Sequence, residues 1–134
     1  MNSVNHWTNR EYKEIVCLLL NRYMPKNIQI DASKISDWDS FHNQFSKTLG
    51  FPEYYGRNMN AWIDCMTYLD DPDATMTTIH VVPGDLLVIC VSGARDLKRQ
   101  CPEIYDALIE CSAFVNYRRI ELGQPAVLAL SFYE

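Results

Sequence analysis

Apolar residues early in the chain recur at three- and four-residue intervals. Tyr12, Ile15, Val16, Leu19 and Leu20 form such a stripe, and Thr8 with Glu11 three residues later supplies a capping box ahead of it. A helix over residues 8–23 is expected, ended by Pro25. The period then changes. "NIQIDA" alternates apolar and polar positions as a strand does, and Ser36 offers an N-cap for a helix bearing Trp38, Phe41, Phe45 and Leu49 and closed by Gly50. Asn58 offers the N-cap of a third helix. Its inward stripe is Trp62, Cys65, Met66 and Leu69, which puts Asn60, Asp64 and Thr67 on the opposite, exposed face.

Residues 70–85 read as a loop with one short extended piece, in which "VPGD" is a turn. "LLVICVS" is a continuous apolar run and is expected to be a strand buried on both faces. A short helix over residues 93–100 follows. A longer one begins at Pro102, carries Ile104, Leu108, Cys111 and Val115, and is stopped by Gly123 before a last apolar strand, "AVLALSF". Strands separated by helices pair in parallel through right-handed crossovers. The expected architecture is α/β: a three-stranded parallel sheet packed with helices, in one domain of 134 residues whose first 25 add an N-terminal helical element.

Composition narrows the function classes. With 48% hydrophobic residues the chain can build a core without disulfides or metal. A formal charge of -5 with scattered Lys and Arg argues against a nucleic-acid partner and for a basic one. No apolar run approaches the roughly 18 residues of a membrane span, and the N-terminus lacks the pattern of a secretory signal, so no membrane association is expected. Cys17, Cys65, Cys90, Cys101 and Cys111 are odd in number, form no C-x-x-C pair, and lie mostly in apolar surroundings, as reduced core thiols of a cytoplasmic protein do.

Chemistry has little to work with. His6, His42 and His80 sit on three different elements, which suits surface or hydrogen-bonded histidines better than metal ligands. Gly84 and Gly93 fit no phosphate-binding loop, so no cofactor is expected. Glu53 and Asp64 are the pair a small hydrolase would use, yet isolated carboxylates more commonly belong to a solvated face.

The stretch "FPEYYGRNMNAWIDCMTYL" closely resembles the signature of the barstar family of ribonuclease inhibitors, in which a Pro-Glu-Tyr-Tyr-Gly turn leads through Asn into a helix ending in Asp-Cys-Leu/Met-Thr. The likeness extends over roughly residues 26–134. It implies a protein that is not an enzyme but pushes an acidic helix and its neighbouring loop into the basic cleft of a secreted ribonuclease, acting as an inhibitor or immunity protein. Asp64 matches the family's central helix aspartate, Tyr54 the ring that stacks near the nuclease's catalytic histidine, and Asn58, Met59, Asn60, Ile63, Thr67 and Tyr68 the surrounding contact positions. Tyr55 is expected at a core edge. Two departures reduce the acidity: Asn60 stands in place of a second helix aspartate and Arg57 in place of a glutamate. A late-helix acid of the family falls near Asn116, with Glu110 or Glu121 as substitutes under a shifted register. Asp70, Asp71 and Asp73 are expected to stay solvated and steer a basic partner. A barstar-like interaction module with a non-nuclease partner is the alternative.

Overall fold

The computed structural model describes residues 8–23 and 25–134, and the side chains of residues 20–23 lie outside that description, as does His6. The elements come in the expected order: α1 (Asn9–Tyr23), β1 (Lys26–Asp31), α2 (Trp38–Leu49), α3 (Met59–Thr67), β2 (Leu87–Ser92), α4 (Ala94–Gln100), α5 (Pro102–Glu121) and β3 (Leu128–Tyr133). Single 3₁₀ turns occupy Ala32–Lys34 and Pro72–Ala74. The strands form one parallel sheet in the order β1-β2-β3, in register from Lys26, Leu87 and Leu128 to Asp31, Ser92 and Tyr133.

Each local signal has a structural counterpart, with informative shifts. The α1 capping box is closed in both directions, Glu11 N donating to Thr8 Oγ1 (3.1 Å) and Thr8 N to Glu11 Oε2 (2.7 Å). Its apolar stripe is only half covered: Ile15 and Val16 are half-buried, while Tyr12 and Leu19 are exposed. The N-cap of α2 is Asp37, one residue beyond the expected Ser36. Asp37 Oδ1 accepts from Ser40 N (2.8 Å) while Ser40 Oγ accepts from Asp37 N (3.1 Å), a reciprocal capping box. Gly50 closes α2 in the left-handed region at φ 64°. A Cβ there would lie 2.0 Å from Thr78 Oγ1, so glycine is also what lets the later loop approach.

The core lies on one side of the sheet. Phe41, Phe45 and Leu49 of α2, Trp62, Cys65 and Met66 of α3, and Ile104, Leu108 and Val115 of α5 share one cluster with Leu87, Ile89 and Val91 of β2. Burying each such large side chain contributes about 1.5–3 kcal/mol. The expectation of burial on both faces of β2 is corrected, because Val88, Cys90 and Ser92 on its other face are only half-buried. An apolar run cannot by itself tell one covered face from two.

Residues 70–85 contain no strand and are fastened at several points. Thr78 N donates to Leu49 O (2.9 Å), Val81 N donates to Leu69 O (3.0 Å), and Thr77 and Val81 are buried. The "VPGD" turn forms as expected, Asp85 N donating to Val82 O (2.9 Å). Cys65 is buried and Cys90, Cys101 and Cys111 are half-buried, whereas Cys17 is exposed and leaves the core expectation. Burial pushes the Cys65 thiol up to about 11, so it stays protonated and unreactive near neutral pH.

Candidate functional site: the outer ridge of α3

Asn58 fixes where α3 starts. Its Oδ1 accepts from Ala61 N (2.8 Å) and its Nδ2 donates to Gly56 O (3.2 Å), tying helix to turn. Trp62, Ile63, Cys65, Met66 and Thr67 are buried, so more than half of the helix circumference is covered. What remains outside is Asn60, Asp64 and Tyr68, spaced four residues apart and therefore stacked along one ridge. The placement of Thr67 on the exposed face is corrected: it is 5% exposed, and its Oγ1 donates to Ile63 O (2.7 Å), as a buried hydroxyl must find an acceptor. Ile63 lies beneath the surface as well, at 8%. Met59 is half-buried at the first turn.

The turn ahead of α3 sorts two adjacent tyrosines. Tyr55 N donates to Pro52 O (2.9 Å), and the Tyr55 ring packs on Phe51 (4.6 Å between centroids). Its hydroxyl meets His42 Nδ1 of α2 at 2.6 Å. Burial raises the Tyr55 phenol well above its ordinary range. The same burial, aided by the Arg57 guanidinium, holds the His42 imidazolium below its usual range against the opposing pull of Asp39. With Tyr55 anchored inward, Tyr54 points outward at 72% exposure, its hydroxyl 3.7 Å from Met76 Sδ of the 70–85 segment. Arg57, at φ 53°, turns its guanidinium back to α2, where Nη2 donates to Asp39 O (3.0 Å), Asp39 Oδ1 (2.6 Å) and Asn43 Oδ1 (2.9 Å). A shallow hollow of about 210 Å³ opens beside it, lined by Trp38, His42, Arg57, Asn58 and Met59.

The charges are arranged differently from expectation. Asp64, half-exposed at 53%, carries a partner from its own chain: Arg118 Nη1 of α5 lies 3.3 Å from Asp64 Oδ1. Asp70 is no solvated rim acid. Arg119 grips both its oxygens (Nη1 to Oδ1 3.0 Å, Nη2 to Oδ2 2.6 Å), with side-chain exposures of only 3% for Arg119 and 16% for Asp70. The same guanidinium donates to Thr67 O (2.7 Å) and Pro125 O (2.8 Å), joining the end of α3, the loop, α5 and the approach to β3. Asp71 and Asp73 do remain exposed, Asp71 accepting from Asp73 N. Asn116 is half-buried and committed to β3, its Oδ1 accepting from Val127 N and Leu128 N and its Nδ2 donating to Leu128 O. Glu110 and Glu121 are exposed on α5. Among the described residues no group of three or more His, Cys, Asp or Glu could hold a metal ion.

Arg119 left a trace in the sequence: it falls four residues after Val115 on the buried stripe of α5, and a charge there demands a partner. Arg118 left none. Its meeting with Asp64 depends on how two helices 54 positions apart pack together.

Residues 26–126, from β1 through the whole ridge to the approach of β3, match the family model Barstar (barnase inhibitor). A 42-residue stretch is 38% identical to "Putative ribonuclease inhibitor YrdF" of Bacillus subtilis (strain 168), covering 31% of this chain and 46% of that protein, less than half of the relative's length. The family match spans most of the chain, from the first strand onward, and covers the turn and helix that build the ridge. The chain belongs to the barstar (barnase inhibitor) family.

Proposed function

We propose that this chain inhibits a ribonuclease by seating the α3 ridge and the 52–57 turn in the enzyme's basic cleft. The observation that carries this reading is the Asn60, Asp64 and Tyr68 stripe: an exposed carboxylate between an amide and an aromatic ring, on a helix whose opposite side is locked in the core. A ribonuclease holds phosphodiesters with Arg, Lys or protonated His, and those donors accept a fixed carboxylate through the same charge-assisted hydrogen bonds. Anchoring of the backbone by Asn58, Tyr55 and Arg119 reduces what must be ordered on binding. Tyr54 and Tyr68 supply ring contacts, and Asn58 and Met59 border the hollow that takes a rim side chain. Ile63 and Thr67 support the ridge from below.

The physiological role that follows is an immunity protein, one domain kept in the cytoplasm, where thiols such as Cys90, Cys101 and Cys111 stay reduced, and guarding the cell from a secreted or toxin-borne nuclease. Immobilised protein should retain a basic ribonuclease and block its cleavage of RNA. Asp64→Ala should then weaken the complex by about 2–5 kcal/mol in titration calorimetry, a range that measurements on the barnase–barstar complex helped to set. Unchanged affinity in a folded Asp64→Ala protein overturns the ridge assignment. Retention of a non-nuclease partner, with no ribonuclease bound, replaces this reading by that of an interaction module.

A further inference from the structure

We propose that the carboxyl end of the sheet is a binding site for a nucleoside monophosphate, which sets its phosphate between Lys34 and Lys47 and its base on the Tyr133 ring. The site shares no residue with the α3 ridge and does not rest on the ribonuclease reading.

In-register pairing brings Asp31, Ser92 and Tyr133 level at the ends of β1, β2 and β3. Their chain neighbours Ile30 and Val91 belong to the core cluster, so by the two-residue period these three side chains lie on the sheet's other face. The crevice outside the carboxyl ends of the strands is where open α/β sheets take their ligands. A hollow of about 400 Å³ opens there, between the sheet, the Ala32–Lys34 turn and α2, within the size range of small-molecule sites.

This hollow is basic although the chain is acidic. Two ammoniums, Lys34 and Lys47, line it against one carboxylate, Asp31, whose Oδ1 already accepts from Ser33 N (3.0 Å) and Ser33 Oγ (2.6 Å). Arg10, Arg57, Arg95, Arg99, Arg118 and Arg119 each lie in an ion pair, and among the described residues neither lysine does. Gln44 and Thr48 share a face of α2 with Lys47 and bring an amide and a hydroxyl to the same hollow. A lysine holds phosphate as a point charge, and an amide and a hydroxyl beside it donate to the remaining oxygens.

Tyr133 supplies the second half of the site. Its hydroxyl donates to Gln29 Oε1 (2.6 Å) and Gln29 Nε2 donates to Asn27 Oδ1 (3.2 Å), which ties a ring 45% exposed to the far strand of the sheet. The same ring walls a second hollow of about 260 Å³, so there is open space beside it. A ring held in place before binding loses little freedom when a base stacks on it. A bare phosphate would engage the lysines and leave the ring idle, whereas a phosphate joined to a flat base uses both.

The test titrates the full chain, by calorimetry at low and at high salt, with adenosine 5′-monophosphate, guanosine 5′-monophosphate, the two unphosphorylated nucleosides and inorganic phosphate. The expected result is saturable binding of at least one nucleotide with a Kd of about 1 mM or tighter, weakened by salt, and at least about tenfold weaker binding of its nucleoside and of phosphate. Lys34→Gln combined with Lys47→Gln should weaken the nucleotide about tenfold or more, and Tyr133→Leu about fivefold or more without altering the weak binding of phosphate. Asp64→Ala should bind as the unmodified chain does. Absence of saturable binding of either nucleotide at millimolar concentration overturns the proposal. Phosphate binding as tightly as the nucleotide reduces the site to an adventitious anion contact and overturns it too. So does nucleotide binding that survives the double lysine change in a folded protein, or that is lost with Asp64→Ala.

Discussion

Arg119 is the residue on which the placement of the ridge most depends. It is almost fully buried, and each of its contacts lies on a different segment. Removing one member of a buried pair leaves the other charge uncompensated, so Arg119→Met and Asp70→Asn should each destabilise the fold by about 3 kcal/mol or more, read as a lowered urea midpoint. Replacing both by apolar residues should cost less than either single change. Arg119 carries a sequence signal in its place four residues after Val115, whereas nothing local marks Asp70, expected to steer a partner from solvent, as the carboxylate that meets it. Asp71 and Asp73, both exposed, are the two of these acids that still meet the condition for steering. Asp71→Asn with Asp73→Asn should slow association with a basic nuclease at low salt while leaving dissociation unchanged, and the effect should vanish as the Debye length shrinks to about 3 Å near 1 M salt. Stopped-flow mixing at two ionic strengths measures both rates.

Between elements, α2 and the turn before α3 are coupled by the His42–Tyr55 hydrogen bond. Its pH dependence has a definite sign. His42 is held neutral in the fold, mainly by burial, while in the unfolded chain it titrates near 6.5. The unfolded state therefore binds the extra proton, and stability present above about pH 6.5 is lost as pH falls through the lower folded value. Urea midpoints should drop from pH 7.5 to pH 5, and His42→Gln should flatten that drop. The carboxylates of Asp31 and Asp37, lowered by Ser33 and Ser40, act only below about pH 4 and do not confuse the window. The type of each α-helix and strand was legible, since caps and apolar periods are local, but the extended piece expected in residues 70–85 is absent and the 3₁₀ turns at Ala32–Lys34 and Pro72–Ala74 left no such period. Less legible were relations between elements: that Arg118 reaches Asp64, that Asn116 turns to β3, and that residues 70–85 are stitched to Leu49 and Leu69. Each depends on packing between segments far apart in sequence, for which no local period exists.

At the scale of the molecule, the family match begins at residue 26, where β1 starts, and among the described residues the half-covered stripe of α1 takes no part in the core cluster. Deleting residues 1–25 should shift the melting temperature by less than about 2 °C and leave nuclease inhibition intact. Thermal melting and an inhibition assay on the shortened chain decide it. The in-order parallel sheet also governs timing. Lys26 pairs with Leu87, sixty-one residues downstream, so β1 has no sheet partner until β2 has been made. At synthesis rates of about 5–20 residues per second that interval is roughly 3–12 s. By its end, α2 and α3 have been made with no paired sheet to pack against, and Arg118 and Arg119 do not yet exist to hold Asp64 and Asp70. The ridge proposed to meet a nuclease is therefore among the last surfaces the ribosome completes, so a chain released early by truncation would carry α3 without the arginines that fix its acids.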